Sequence, residues 1–249
     1  MTKETEKEII DAIRSGRIQK KDTGEHPPAH SIPYFYKDSG GFDWVLLKAR
    51  KDSPFGATQE GIVQGYRRYK TLFPFLQKQN LGVNTPKDIE VIECDGEFYG
   101  VMERFFGHGH SPERFSKATK SQQDNFVKQV AEFFYKLHSI SIGTLPKDRD
   151  YVPYFRYDKT KPYHQCGDVF LHADFNYSNF LVDDDYNLHA VFDWDPCCVG
   201  PRIAEFCTFI YCKDLSMLPL VLTEYNKIAG TSITTDQVIE HHKAREVSQ

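Results

Sequence analysis

The residues best suited to chemistry lie together in positions 171–195, Leu-His-Ala-Asp-Phe-Asn-Tyr-Ser-Asn-Phe-Leu-Val-Asp-Asp-Asp-Tyr-Asn-Leu-His-Ala-Val-Phe-Asp-Trp-Asp. His172, Asp174 and Asn179 stand on a polar stretch that runs into the apolar segment Phe180-Leu181-Val182. A turn at Asp183–Asn187 and a second apolar segment, His189-Ala190-Val191-Phe192, complete the pattern of a β-hairpin that ends at Asp193. Folding that hairpin back sets Asp193 beside Asn179. An Asn carbonyl oxygen and an Asp carboxylate are hard oxygen ligands suited to Mg²⁺ bound with a phosphate. Asp174, five residues before Asn179, is placed to accept a proton from an incoming hydroxyl. Between Cys166 and Gly200 the chain carries seven acidic residues and no Lys or Arg. Carboxylates packed that closely repel one another unless cations neutralise them. Asp183-Asp184-Asp185 reads as a solvated acidic turn.

Such a loop needs elements to hold it. Before residue 105 the chain is strand-like. Ile32–Tyr36 and Phe42–Lys48 flank the turn signal Asp38-Ser39-Gly40-Gly41, and Ile89–Cys94 and Phe98–Met102 flank Asp95-Gly96-Glu97, which predicts two hairpins. Between them, residues 57–79 place Ile62, Tyr66, Tyr69, Leu72 and Phe73 at helical spacing. The first hundred residues thus read as a small antiparallel sheet with one helix against it. After residue 110 the pattern turns helical. Gln122–Ile140 carries an apolar stripe of Phe126, Val127, Val130, Phe133, Phe134 and Leu137, and 201–213, 216–229 and 235–245 read as further helices. The expected architecture is α+β in two lobes, a β-rich 1–104 and a helical 105–249, with a ligand cleft between them.

The pattern His172-x-Asp174-x4-Asn179 followed by Val191-Phe192-Asp193-Trp194 resembles the aminoglycoside phosphotransferase family, small-molecule kinases that share the protein-kinase-like fold. In that family the first Asp is the catalytic base, and the Asn and later Asp hold Mg²⁺ on the nucleotide phosphates. Phe98–Gly107 is similar to the family's interlobe hinge, which implies that Met102, Glu103 and Arg104 receive the adenine. Phe133–Ile140 looks like the end of the first long helix of the second lobe. Gly200–Phe206 resembles the segment after the metal-binding Asp, with Glu205 where an Asp is usual.

The resemblance also implies a phosphate-binding lysine. Lys48, at the end of Val45-Leu46-Leu47-Lys48, resembles the strand lysine of kinases. A helix carboxylate normally orients such a lysine, and Glu60 is the only acidic residue between Ser53 and Lys87; Gln64 sits nearer the family's expected place. Thr23–Ser31 falls where a phosphate-covering loop belongs, although Pro27 and Pro28 lack N–H groups; Ser31 is the residue expected to touch phosphate. His172 is expected to buttress the catalytic loop. Trp194 and His138 read as packing residues, His108 and His110 as solvent-exposed, and His241-His242 as part of a charged tail.

Composition narrows the function classes. The net charge of −4 over 249 residues offers no basic excess for nucleic acid. No stretch is apolar enough for a membrane span, and Met1–Glu8 is too charged for a secretory signal. None of the six cysteines forms a Cys-x-x-Cys pair, and they read as reduced, mostly buried thiols of a cytoplasmic protein. The resulting expectation is a phosphotransferase, monomeric or weakly dimeric, that uses ATP or GTP with Mg²⁺ and acts on a small-molecule hydroxyl. An acidic mouth that includes Asp195 on the acceptor side favours cationic, aminoglycoside-like acceptors; choline, sugar or peptide-like acceptors stay open. Two other readings compete. A strand followed by Asp193-x-Asp195 suggests an aspartate-nucleophile phosphatase, but its position late in the chain and Cys197 after it speak against that. A degenerate kinase-like nucleotide-binding protein is the stronger alternative.

Overall fold

A computed structural model describes residues 1–21, 30–53, 56–148, 150–151 and 167–246. Most of the expected phosphate-covering loop, and Cys166, lie outside them. The chain divides into two compact units, the first formed by Met1–Gln77 and Pro86–Phe105, the second by Lys78–Thr85 and Phe106–Gln249.

The first unit is a five-stranded antiparallel sheet in the order β1-β2-β3-β5-β4, comprising β1 (Gln19–Lys20), β2 (Ser31–Lys37), β3 (Asp43–Ala49), β4 (Glu90–Cys94) and β5 (Glu97–Glu103). Each of the two expected hairpins forms. The sheet carries two helices rather than one. The charged N-terminal run is α1 (Lys3–Arg14), capped by the Thr2 hydroxyl, which accepts the Thr5 N–H at 3.1 Å. Its few apolar residues fall on one side, so Ile9 and Ala12 are buried against Tyr36, Leu46, Ile92, Tyr99 and Val101. Glu8 ties the helix to the β2–β3 turn by accepting the Tyr36 O–H at 2.8 Å and the Ser39 N–H at 2.7 Å.

The helix expected over 57–79 is α2 (Gln59–Gln77), and it covers the opposite face. In the register of β3 and β5, Leu47 stands across from Gly100 and Lys48 across from Tyr99, so the two neighbours in each strand point to opposite faces. Gly100 is the close-approach point for α2: a Cβ there would lie 3.1 Å from the Tyr66 ring and 2.9 Å from Ile89 Cδ1. A side chain there would require the Ile89 and Tyr66 side chains to shift.

In the second unit, α4 (Lys120–His138) opens on a capping box in which Thr119 and Gln122 satisfy each other's backbone N–H groups. It buries the predicted stripe and packs along α6 (Met217–Ala229). α3 (Pro112–Lys117) precedes it, and α7 (Thr235–Glu246) packs on a 3₁₀ helix, Arg202–Cys207, that continues into α5 (Thr208–Tyr211). The helix expected over 201–213 is thus a strand end and a 3₁₀ helix before it becomes α-helical.

Five short strands position the loop of interest. β7 (Asp168–Leu171) pairs antiparallel with β10 (Cys198–Pro201), Leu171 facing Cys198. β6 (His108–Gly109), β8 (Phe180–Val182) and β9 (Leu188–Val191) form a three-stranded sheet in the order β6-β8-β9. Residues 78–85 join this unit because Asn84 extends the sheet: its N–H donates to His189 O at 2.9 Å, and its carbonyl accepts from Val191 N–H at 2.9 Å. Phe126, Phe133, Phe134, Phe170, Phe175, Phe180, Trp194, Phe206 and Tyr225 fill the core.

Candidate functional site

The loop 172–179 spans the gap between β7 and β8, and buried side chains set its shape. His172 has no solvent exposure. Its Nε2–H donates to Phe192 O at 2.9 Å, while Nδ1 accepts the Asp174 N–H at 3.3 Å. Those two bonds require the neutral tautomer protonated at Nε2. Burial lowers the His172 pKa, against the opposing pull of Glu205. The ring packs on Trp194, centroids 4.6 Å apart. Both ring nitrogens are thus spent on the backbone at either side of the loop.

Ala173 adopts φ +66°, a left-handed conformation that costs an L-residue about 1–2 kcal/mol. Glu205 holds it there. Its Oε2 accepts the His172 N–H at 2.8 Å and its Oε1 the Ala173 N–H at 3.1 Å. Glu205 thus reaches both amides from the 3₁₀ helix, which packs back on β7. Farther along, Thr208 Oγ1–H donates to Phe175 O at 2.6 Å, and the Tyr177 hydroxyl donates to buried Asp214. Burial raises the Tyr177 pKa, with Asp214 adding to it.

Within this frame Asp174 is half-buried and both of its oxygens are engaged. Oδ1 accepts Asn176 Nδ2–H at 2.9 Å, and Oδ2 accepts Asn179 Nδ2–H at 2.8 Å. Asn179 also donates Nδ2–H to Asp174 O at 2.8 Å. Its amide is thereby turned so that Oδ1 is the face left for other partners; Ser178 Oγ–H lies 3.2 Å from it. The hairpin pairs Phe180 with Val191, and Phe192 N–H donates to Asn179 O at 2.8 Å. Asp193 follows directly, exposed and at φ +56°. Asp174 and Asn179 are thus bonded to each other, and Asp193 is one residue beyond the backbone pairing of Phe192 with Asn179.

The donor chemistry fits a hard divalent cation. Among the described residues no group of three or more His, Cys, Asp or Glu side chains is arranged to hold a metal ion. One amide oxygen and one carboxylate form the sparse set that suits Mg²⁺, which keeps waters and takes phosphate oxygens for its remaining positions. Asp195, two residues on, is half-buried.

The expected nucleotide-side residues all lie in the first unit. Lys48 shares the sheet face of Tyr99 and Val101, which α1 covers, and its ammonium lies 3.7 Å from Glu97. The expected pairing with Glu60 does not form, because α2 lies against the other face; Glu60 instead accepts Gln64 Nε2–H at 3.3 Å. Glu97 gathers Lys48, Lys51 at 3.0 Å and Gln59 at 3.4 Å. The Ser31 hydroxyl is hydrogen-bonded to Tyr66 of α2. Met102 stands opposite Val45 in β5. Glu103 accepts the Lys87 N–H at 3.1 Å, and the Arg104 guanidinium lies 3.9 Å over the Phe35 ring.

Several histidines depart from expectation. His108 is exposed and sits 2.7 Å from Asp184, but His110 is buried among Phe115, Phe126, Tyr177, Phe180 and Tyr186. His241 and His242 are buried rather than part of a solvated tail. Asp183 is not simply solvated: it accepts the backbone N–H groups of Asp185 and Asn187 and so closes its own turn. The five described cysteines are free thiols, four of them buried. No helix among the described residues is long and apolar enough to cross a membrane.

This architecture is the kinase-like α+β fold of small-molecule phosphotransferases. The model of the Phosphotransferase enzyme family matches residues 157–224, which take in the loop 172–179, the hairpin and the Glu205 segment, and the resemblance read from the sequence holds. Aminoglycoside phosphotransferase APH(2'')-Ib bound to ADP superposes with a TM-score of 0.64 at 14% identity, over 96% of this chain and 86% of that one. The GDP and kanamycin complex of APH(2'')-IIia gives 0.66 at 15% identity over 97% and 87%. Macrolide 2'-phosphotransferase MphH from Brachybacterium faecium gives 0.62 at 14% identity over 96% and 88%. No curated protein matches the sequence.

Proposed function

We propose that the protein transfers the γ-phosphate of ATP or GTP to a hydroxyl of a small, cationic molecule, with Asp174 as the catalytic base. The observation that carries this reading is the fixing of Asp174 by Asn179 Nδ2–H at 2.8 Å inside a loop that Glu205 locks from beneath. Asp174 accepts the acceptor's proton as its oxygen attacks phosphorus; its two Asn donors aim the carboxylate and leave lone pairs for that proton. Asn179 and Asp193 would hold Mg²⁺, which when bound with nucleotide neutralises phosphate charge. Because little covalent chemistry is asked of the protein in phosphoryl transfer, positioning and electrostatics supply most of the acceleration. Either nucleotide is in keeping with the neighbours, since one is described with ADP and another with GDP. Met102, Glu103 and Arg104 enter as nucleotide-side residues. So do Lys48, which exchanges Glu97 for phosphate, and Ser31, which gives up Tyr66; Asp195 faces the acceptor.

The test is transfer of labelled γ-phosphate from ATP and from GTP to kanamycin and to a panel of other hydroxyl acceptors in the presence of Mg²⁺. Wild type transfers label, and Asp174→Asn loses at least about 100-fold, the usual contribution of a positioned base. Absence of transfer to every acceptor, together with no Mg²⁺-dependent stabilisation by either nucleotide, refutes the proposal in favour of a degenerate kinase-like protein.

A further inference from the structure

Glu205 braces the start of the loop 172–179, and a different contact braces its end. From Asp174 to Asn179 the chain makes a tight turn in which polar side chains bond to one another. Asn176 Oδ1 accepts the Ser178 N–H at 2.9 Å, which turns Asn176 Nδ2–H onto Asp174 Oδ1, also at 2.9 Å. Asn176 O accepts the Asn179 N–H at 2.9 Å. The aromatic side chains leave the turn instead. Phe175 enters the core and stacks on Phe180, centroids 4.5 Å apart. Tyr177, two residues on, reaches the connection between α5 and α6, where its hydroxyl donates to Asp214.

Asp214 has only 3% exposure, and neutral donors hold its carboxylate. Oδ2 takes the Tyr177 O–H, while Oδ1 accepts Ser216 Oγ–H at 2.7 Å and the Met217 N–H at 3.3 Å. Met217 opens α6, whose N-cap residue Ser216 makes no side-chain cap of its own. Asp214 thus does the capping, at a helix end where aligned peptide dipoles favour an anion. Burial and the neighbouring carboxylate keep the Tyr177 phenol protonated, so it can only donate to that oxygen. A hydrogen bond to a carboxylate is about twice as strong as one between neutral groups. The Tyr177 ring packs edge-on against His110 at 4.5 Å, and its N–H turns to the sulfur of half-buried Cys212.

We infer that Tyr177, pinned by Asp214, is a positioning residue for Asp174, the proposed base. Tyr177 stands between Asn176 and Ser178, the residues whose mutual bond aims Asn176 at Asp174. Holding the residue between them keeps that bond closed and keeps the donor on Asp174 Oδ1. Without the pin the turn pivots about Phe175, Asn176 swings away, and the carboxylate loses one of the donors that aim it. The effect passes to Asp174 through Asn176, and α6 is the fixed point against which the turn is set.

The inference rests on the proposed phosphotransfer for its kinetic arm, but its other readout, amide hydrogen exchange, does not need activity. Tyr177→Phe removes one oxygen and leaves the ring seated against His110. It should speed exchange at Ser178 and Asn179 about tenfold, the loss of roughly one bond to a charged group, with exchange in β7 and in the middle of α6 unchanged. In the Mg²⁺–ATP or Mg²⁺–GTP assay, run with kanamycin or with the panel acceptor that takes most label, kcat should fall by a similar factor while KM for the nucleotide holds. Asp214→Asn keeps a neutral link, because the Tyr177 oxygen can turn and accept the new N–H. It should therefore cost only about threefold on both readouts, and it carries the test should Tyr177→Phe not fold. Unchanged exchange at Ser178 and Asn179 overturns the inference. So does an equal rise in exchange across the whole unit, which would make the contact merely structural. A raised nucleotide KM with kcat unchanged overturns it as well, since the pin would then act on nucleotide binding and not on the base. A wild type that transfers phosphate to no acceptor refutes the proposed function instead, and leaves the exchange results to decide this inference.

Discussion

Glu205→Gln isolates the carboxylate under the loop 172–179, the proposed catalytic loop, with almost no change of shape. In the protein one oxygen takes the His172 N–H at 2.8 Å and the other the Ala173 N–H at 3.1 Å. An amide has one oxygen and one NH₂, so in either orientation one of those backbone donors faces another donor. The surviving bond loses its charge assistance, which costs about 1 kcal/mol, and the orphaned buried N–H costs about 1–3 kcal/mol. Relief from burying a charge offsets part of this. Ala173, at φ +66°, then has a further about 1–2 kcal/mol of left-handed strain to release, and the loop escapes part of the penalty by relaxing there. The net expectation is a loss of about 2 kcal/mol, which at this chain length lowers the thermal midpoint by about 4–8 °C. Calorimetry and a urea titration at constant m-value measure it. Phosphotransfer should fall much further than the stability loss implies, because Asp174 is displaced in the molecules that remain folded. A variant with an unchanged midpoint and unchanged turnover would refute the claim that Glu205 shapes the loop.

Three other outcomes follow from the same structure. Asp193→Ala should abolish the Mg²⁺-dependent thermal stabilisation by ATP or GTP, which in wild type reaches about 2.7 kcal/mol at a hundred times the dissociation constant; a variant that keeps the full shift removes Asp193 from the metal-holding pair. Burial pulls the His110 pKa down from 6.5 to about 4, so the unfolded chain takes up this proton at higher pH than the folded one does. Its contribution to stability is complete above pH 6.5 and is lost as the pH falls from 6.5 to 4, by about 3 kcal/mol in all. His110→Phe, which keeps the aromatic cage filled, should flatten that part of the urea-midpoint profile, and an unaltered slope would show that His110 is not the group responsible. Gly100→Ala should destabilise the first unit by about 1–3 kcal/mol through overpacking against Tyr66 and Ile89, read as a lower urea midpoint; a neutral result would mean that α2 does not rest on β5 as closely as described.

Much of this protein was legible in one dimension, where local spacing and local geometry coincide. The hairpin of β8 and β9 could be read because its register follows from its turn, and the proposed site residues Asp174, Asn179 and Asp193 sit within that hairpin and the loop before it. The stripe of α4 and the helix α2 were likewise visible from three- and four-residue spacing. α1 carries the same spacing at Ile9, Ala12 and Ile13, but the surrounding charge obscures it. Tertiary structure decided what depends on facing. Lys48 and Leu47 differ by one position, and only the β3–β5 register assigns Lys48 to the α1 face and so replaces the expected Glu60 partner with Glu97. His110 and His242 look solvated in sequence because what buries them arrives from distant segments. Glu205 reads in sequence only as a variation on a motif, whereas the 3₁₀ helix packs on β7 and sets its carboxylate under two amides, 32 and 33 residues away in sequence. Spacing encodes contacts that one turn or one helix can close; contacts that close only when separate elements pack are decided by the packed core.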